Sequence, residues 1–435
     1  MNPTLSLPDP ATTRARLEPR LRQVFRAGRV VPDVSWRVPE GATLLGREEG
    51  AERTFVQDDP TVSRAHARLV RAGDTVRVEE LAGSKNGMWV DGHKVREAEL
   101  VDGAVVRIGG TLLVFRRVPV PLDDVVIPGL RGTSPEMAAL RVTLARAATM
   151  ADPVLLLGET GTGKTAAAAC LHRLSGRPGA FVPVNVAAVP EALAEAALFG
   201  HTAHAFTGAQ RESAGHFRAA DRGTLLLDEI GEIEARLQAR LLHAVEAREV
   251  MPVGASRPQP IDVRVVAATN VDLVAAVRDG RFRADLYARL AGLVIALPPL
   301  RARRDDILAL LAPHLPPGVP LSPALAERLV LHPWPFNVRE VERVAAELRF
   351  RAPDVTVLDV PLVDARLSAF ATEAAAPPPD SADAGPPDRD RLVELLTRHD
   401  GVVAAVARAV QRTPRQVYRW LEREGIDPEG WRKGR

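Results

Sequence analysis

The chain has 435 residues, 46% of them hydrophobic and 26% charged, with a formal net charge of +2; that length predicts two or three domains, and so small a net charge excludes a general polyanion-binding surface, leaving room only for a local nucleic-acid site. One cysteine, Cys170, excludes internal disulfides and a Cys-rich zinc cluster. No apolar run reaches the roughly 18 residues of a membrane span, and residues 1–20 carry prolines and charges rather than a signal-peptide core, so the expected location is cytoplasmic, with no membrane partner.

Residues 1–29 yield no reading and stand as an N-terminal extension. Residues 30–118 read as short strands between turns: Thr75-Val-Arg-Val78 alternates polar and apolar, as do parts of Val105 to Phe115. An all-β sandwich is predicted. Residues 119–128 form a proline-bearing link. From 129 to 367 helical stretches alternate with the apolar runs Val154–Leu157, Thr224–Leu227 and Val263–Ala267, which predicts an α/β domain with a parallel sheet. Residues 368–388, rich in Ala, Pro and Asp, read as a disordered linker, and 389–435 as an all-α tail.

Gly158-Glu159-Thr160-Gly161-Thr162-Gly163-Lys164-Thr165 matches the phosphate-binding pattern GxxxxGK[ST], with an apolar strand before it and a helix after it. Its backbone N–H groups would cradle the phosphates of ATP at a helix N-terminus. Lys164 would reach the β- and γ-phosphates and Thr165 would offer its hydroxyl to Mg2+. The run Thr224-Leu-Leu-Leu-Asp-Glu229 ends a buried strand in two carboxylates. Asp228 is placed beside the metal, and Glu229 where it can polarise the attacking water.

Residues 129–367 resemble the AAA+ domain of the sigma-54-dependent transcription activators. The resemblance rests on the motifs above and on Phe181-Val-Pro-Val-Asn185, Leu198-Phe-Gly-His201, Ala205-Phe-Thr-Gly-Ala209, Ala267-Ala-Thr-Asn270, Arg281-Phe-Arg-Ala-Asp-Leu-Tyr-Ala-Arg-Leu290, Leu297-Pro-Pro-Leu-Arg301 and Trp334-Pro-Phe-Asn-Val-Arg-Glu340. It implies that Asn185 restrains Glu229 and that Asn270 senses the γ-phosphate. It also implies that Arg283 and Arg289 reach a neighbouring subunit's nucleotide, and that Arg339 reports from a helical lid. Fingers acting between subunits imply a homo-oligomer, a hexameric ring that can be built from dimers. Phe206 and Thr207 would touch the sigma factor. Departures are His204 where the family has Gly, Ala197 where it has Glu, and Phe336 where it has Gly; the first removes backbone freedom from the contact loop.

Within 30–118, Gly46-Arg47, Ser63-Arg-Ala-His66, Ser84-Lys-Asn-Gly87, Trp89-Val-Asp-Gly92 and Val106-Arg-Ile-Gly109 follow in order and resemble a forkhead-associated (FHA) domain. The resemblance implies phosphothreonine binding. Arg47 and Arg64 would supply charge, Ser63 its hydroxyl and Asn86 a grip on the peptide backbone. Arg64 can equally brace its loop, and His66 reads as a bracing residue.

In the tail, Arg389–His399 and Val402–Val410 read as two helices, and Thr413-Pro414 opens a third. On that third helix Arg415, Arg419 and Arg423 share one face, and Val417 and Leu421 the opposite one. The segment resembles a Fis-type helix-turn-helix, with Val410-Gln411-Arg412 replacing the usual turn. Arg415 and Arg419 would read bases; Arg412 and Arg423 would touch phosphate.

The whole reads as an ATPase that activates sigma-54 RNA polymerase from enhancer DNA, with input from a phosphothreonine protein or a Ser/Thr kinase. The alternative is a DNA-bound phosphoprotein adaptor whose nucleotide state controls assembly without remodelling polymerase.

Overall fold

The computed structural model describes residues 16–47, 54–56, 59–120, 122–206, 209–369 and 389–398, and beyond these Val406, Val417, Trp420, Leu421 and Ile426. The chain divides into two units, the second beginning at Ser368.

The first unit opens with β1 (Arg16–Arg26), β2 (Arg29–Arg37), β3 (Gly41–Gly46), β4 (Thr54–Val56), β5 (Ala67–Ala72), β6 (Thr75–Glu80), β7 (Met88–Val90), β8 (His93–Val95), β9 (Glu97–Glu99), β10 (Val105–Ile108) and β11 (Thr111–Val120). They form a six-stranded sheet, β2-β1-β11-β10-β7-β8, and a five-stranded sheet, β4-β3-β5-β6-β9. Between them lies a core that includes Leu21, Leu45, Leu69, Val76, Val78, Met88, Ile108 and Phe115. β1 lies in the segment that sequence analysis left as an extension. It pairs antiparallel with β11 from Arg16↔Val120 to Arg26↔Thr111, so the sandwich starts at Arg16 and not at residue 30. Its arginines and a bulge between Gln23 and Phe25 break the alternation that would have revealed it.

The α/β part comprises α1 (Pro135–Ala148), β12 (Val154–Leu157), α2 (Lys164–Ser175), β13 (Phe181–Asn185), α3 (Glu191–Phe199), α4 (Gly215–Ala219), β14 (Thr224–Asp228), α5 (Ala235–Ala247), a small pair β15 (Glu249–Val250) and β16 (Gln259–Pro260), β17 (Arg264–Thr269), α6 (Leu273–Arg278), α7 (Ala284–Leu290) and β18 (Leu293–Ala296). The sheet runs β13-β14-β17-β12-β18, all parallel. Non-consecutive neighbours require crossover connections, so separate apolar cores cover its faces. A helical lid follows: α8 (Arg304–Leu311), α9 (Pro323–Leu331), α10 (Asn337–Arg351) and α11 (Asp364–Ala369).

The sandwich is not tethered to the lid; it shares a core with it. On β11, Leu113 and Phe115 point into the sandwich. Leu112 and Val114 face the other way, joining Val24, Phe25 and Val105 against Ile307, Leu311, Leu325 and Leu329 of the lid. Adjacent residues of a strand alternate faces, so a strand apolar at every position is covered on both sides.

In the second unit α12 (Arg389–Arg398) contributes Leu392, Leu395 and Leu396 to a small core with Val406, Val417, Leu421 and Ile426. The expected linker, from residue 370 on, and Arg412, Arg415, Arg419 and Arg423 lie outside the described residues.

Candidate nucleotide and phosphopeptide sites

β12 delivers the chain into the glycine-rich loop and α2 carries it away, starting from Gly163 in the left-handed region at φ +104°. Gly161 has φ +79°, and a Cβ there would sit 2.2 Å from the Phe336 carbonyl oxygen. The lid backbone therefore closes directly on the loop, and Val338 N donates to Gly161 O at 3.0 Å. A cleft of about 510 Å³ opens beside it. Thr160 to Thr165, Asp228 and Glu229 form its floor, and Arg339 approaches from the lid.

Lys164 is buried and its Nζ donates to Gly158 O at 2.8 Å. Burial pushes its pKa down, against the pull of Glu229 and Asp228 upward, and Arg339 adds to the depression. Asp228 closes β14 and accepts from Glu229 N at 3.1 Å. Glu229 itself sits at φ +55°, a conformation uncommon for a non-glycine residue and concentrated at functional sites. Asn270, just past β17, donates to Thr160 Oγ1 at 3.3 Å. Asn185 is the cross-strand neighbour of Asp228. Its side-chain oxygen accepts from Ala187 N at 3.0 Å, and it makes no hydrogen bond to Glu229. Arg283 and Arg289 lie on exposed positions at and within α7, away from this cleft, with Arg283 paired to Asp285 at 2.7 Å.

Several residues at the cleft escaped sequence analysis. Gly129, Leu130, Arg131 and Met137 from the entry to α1, with Leu310, His314 and Val341 from the lid, make a partly apolar wall suited to a base. Arg301 grips Glu159 bidentately at 2.6 and 2.7 Å, which holds that carboxyl below its ordinary range. Asn337, fully buried, donates to Glu159 at 3.2 Å and to Thr160 O at 3.1 Å, and accepts from Leu300 N at 2.7 Å.

At the sandwich end, Gly46 allows β3 to touch the next loop: a Cβ there would sit 1.9 Å from Arg64 O. Arg47 N donates to Ser63 O at 3.2 Å and its Nε to Val62 O at 2.5 Å. Ser63 Oγ accepts from Lys85 N at 3.2 Å, and Asn86 Nδ2 donates to Thr61 O at 2.5 Å. Arg47, Arg64, Lys85 and Asn86 are exposed around this point. His66 is buried beneath them; its Nδ1 accepts from Ser63 N and its Nε2 bonds Gly87 O at 2.8 Å. It braces two loops rather than facing a ligand.

Of the sigma-contact pair, Phe206 is 37% exposed and edge-on to His201 at 5.0 Å; Thr207 lies outside the described residues. His204 adopts φ +63°, so the glycine-type backbone persists without glycine.

The Sigma-54 interaction domain family matches residues 130–296 and the FHA domain family residues 43–109. The anaerobic nitric oxide reductase transcription regulator NorR of Aeromonas hydrophila is 34% identical over 94% of this chain and 85% of its own length. The chain belongs to the sigma-54-dependent transcription activators. The acetoin catabolism regulatory protein of Cupriavidus necator is 44% identical over 68% of this chain and 47% of its own length. This activator thus spans about half the length of several curated relatives. The crystal structure of NtrX from Brucella abortus in complex with ATP is 26% identical, with a TM-score of 0.51, over 68% of this chain and 69% of that one. The α/β domain and lid are accordingly of the AAA+ ATPase type, and the N-terminal sandwich is an FHA domain. Among the described residues no helix is long and apolar enough to cross a membrane.

Proposed function

We infer that this activator hydrolyses ATP to remodel sigma-54 RNA polymerase at a promoter, under control of phosphothreonine recognition by its FHA domain and from enhancer DNA held by its tail. The observation that carries this is the convergence of Lys164, Thr165, Asp228 and Glu229 from the sheet with Arg339 from the lid around one cleft.

ATP is the substrate. Backbone N–H groups at the start of α2 bind its phosphates, Lys164 places a point charge between them, and the wall of Leu130, Met137 and Leu310 shields the base from water. Thr165 and Asp228 offer hard oxygen donors of the kind Mg2+ takes; bound there, it would neutralise charge on the phosphates. Glu229 orients and takes a proton from the attacking water. Asn270, hydrogen-bonded to Thr160, would register the terminal phosphate. Arg283 and Arg289, exposed and away from their own cleft, are suited to complete a neighbour's site in a hexameric ring. Asn185, one strand away, is the residue that would hold Glu229 until a signal arrives.

Phe206 and Thr207 would carry the work to the sigma factor. Arg47, Ser63, Arg64 and Asn86 would hold a phosphothreonine protein or a Ser/Thr kinase. Arg415 and Arg419 would read base edges, and Arg412 and Arg423 would touch phosphate.

Transcription in vitro with sigma-54 polymerase on a supercoiled template tests the reading. ATP-dependent transcripts that vanish in Thr207→Ala while ATP turnover persists are expected. Turnover with no transcript from the unmodified chain would favour the adaptor reading; no turnover would reject the motor itself.

A further inference from the structure

Three sandwich arginines reach out of the sandwich, and two of them do something the third does not. Arg107 stacks on Trp89 of its own sandwich at 3.6 Å and pairs with Glu327 of α9 at 2.7 Å, so its contact outside the sandwich is with the lid. Arg22 donates to Thr133 O at 2.7 Å and to Thr133 Oγ1 at 2.5 Å, just before α1, and also pairs with Asp305 of α8 at 2.7 Å. Arg116 pairs with Glu136 of α1, donates to Ala302 O at 3.4 Å and approaches Asp305 at 4.0 Å. Each therefore links the α/β core, at Thr133 or Glu136, to the segment that opens the lid, at Ala302 or Asp305.

That seam borders the nucleotide cleft. The segment gripped by Arg22 continues from Gly129, Leu130 and Arg131, and α8 supplies Leu310; all four line the cleft. Asp306, next to Asp305, fastens the same seam by accepting from Thr133 N at 2.7 Å and Ser134 Oγ at 2.6 Å. The Asp305 side of the bridges is shielded from water, with Arg22 12% exposed and Asp305 and Arg116 almost wholly buried, while Glu136 is 30% exposed. In such surroundings an arginine removed leaves a carboxylate without its countercharge, a far larger effect than losing a surface pair.

We propose that Arg22 and Arg116 are positioning residues for nucleotide turnover, through which the FHA sandwich staples lid to core and sets how readily the cleft opens to exchange nucleotide. The inference rests on the cleft binding nucleotide, as proposed above. A rigid sandwich sharing its core with α8 and α9 cannot follow the lid away from α1 unless these arginines let go of Thr133 and Glu136. Exchange then waits on the bridge opening.

Release of a fluorescent ADP analogue from the full chain, followed by stopped flow, tests this. Arg22→Ala is expected to speed release about tenfold, Arg22→Lys to restore part of the slow rate, and Arg107→Ala, which breaks a comparably shielded pair but no tie to the α/β core, to leave it within about twofold. Arg22→Met, which keeps the buried stem without the charge, replaces Arg22→Ala if that variant melts below assay temperature, with the same acceleration expected. Equal release from the unmodified and Arg22-substituted chains, or equal acceleration in Arg107→Ala, overturns the proposal. Failure of the unmodified chain to bind the analogue at all overturns the nucleotide reading, and this inference with it.

Discussion

Asn337 uses its side chain fully: its oxygen holds Leu300 N, and its amide nitrogen holds Glu159 and Thr160 of the phosphate loop. It does so at φ +51°, where Asn is among the better tolerated residues. Asn337→Ala leaves buried groups unpaired and a Cβ in a disfavoured conformation, so a loss of about 2–4 kcal/mol is expected in urea unfolding, with weaker nucleotide binding. Its motif was visible in the sequence but its role was not, because its partners lie 177 and 178 residues away. That Lys164, Asp228 and Glu229 would line one cleft was legible because each follows or ends an apolar strand run, Val154–Leu157 or Thr224–Asp228. Glu229→Gln is expected to bind ATP normally while turnover falls about 10²–10⁴-fold, measured by phosphate release. At His204, glycine would relieve roughly 1–2 kcal/mol of backbone strain and add unfolded-chain entropy worth about 0.4–1 kcal/mol. His204→Gly should therefore leave stability unchanged or raise it by up to about 1.6 kcal/mol; a loss in thermal melting would mean that the imidazole itself holds the loop.

Among the elements, β11 shows best where sequence reading stopped. The alternation expected in parts of Val105 to Phe115 is absent from Thr111-Leu-Leu-Val-Phe115, where every residue is buried. The continuous apolar run was itself the signal of cover on both faces. The cover comes from helices some two hundred residues later, which no local pattern announces. Leu112→Ala should cost about 2–5 kcal/mol in denaturant unfolding, as for a core position, whereas a free-standing sandwich would lose far less. The same interface has a pH signature. Burial, then Asp306, pushes Asp305 up to about 6, against Arg116 and Arg22, with Glu136 adding to the rise; Arg303 from the lid shares the cluster and Arg131 lies at its edge. Unfolded, an aspartate titrates near 3.9. Folded Asp305 thus keeps its proton to higher pH than the unfolded chain, and its contribution to stability, full below about pH 4, is lost as pH rises through about 6. Relative to the unmodified chain, Asp305→Asn should gain stability between pH 4.5 and 7.5, by an amount on the order of 3 kcal/mol at most. An unchanged difference across that range in urea titrations would contradict the shift.

For the molecule as a whole, the order of FHA, ATPase and tail was legible because each carries short motifs whose chemistry depends on local spacing. How the first two meet was not, since Arg22, Asp305 and Thr133 are unremarkable residues until the fold assembles them. If a phosphothreonine peptide at Ser63 alters the bridge, linkage requires the reverse as well: ADP should change peptide affinity by the same factor that peptide changes ADP affinity, both measurable by calorimetry. Affinities that shift in one direction only would mean that the two measurements do not report one equilibrium. The shared core between β11 and the lid also constrains how this protein can vary. A sandwich grafted from elsewhere would leave Ile307, Leu311, Leu325 and Leu329 facing water, so transplanting the ATPase domain alone should yield a sticky, aggregating product. Substitutions at Leu112 or Val114 can then persist through descent only when α8 and α9 drift with them, making the sandwich and the ATPase domain a single inherited piece.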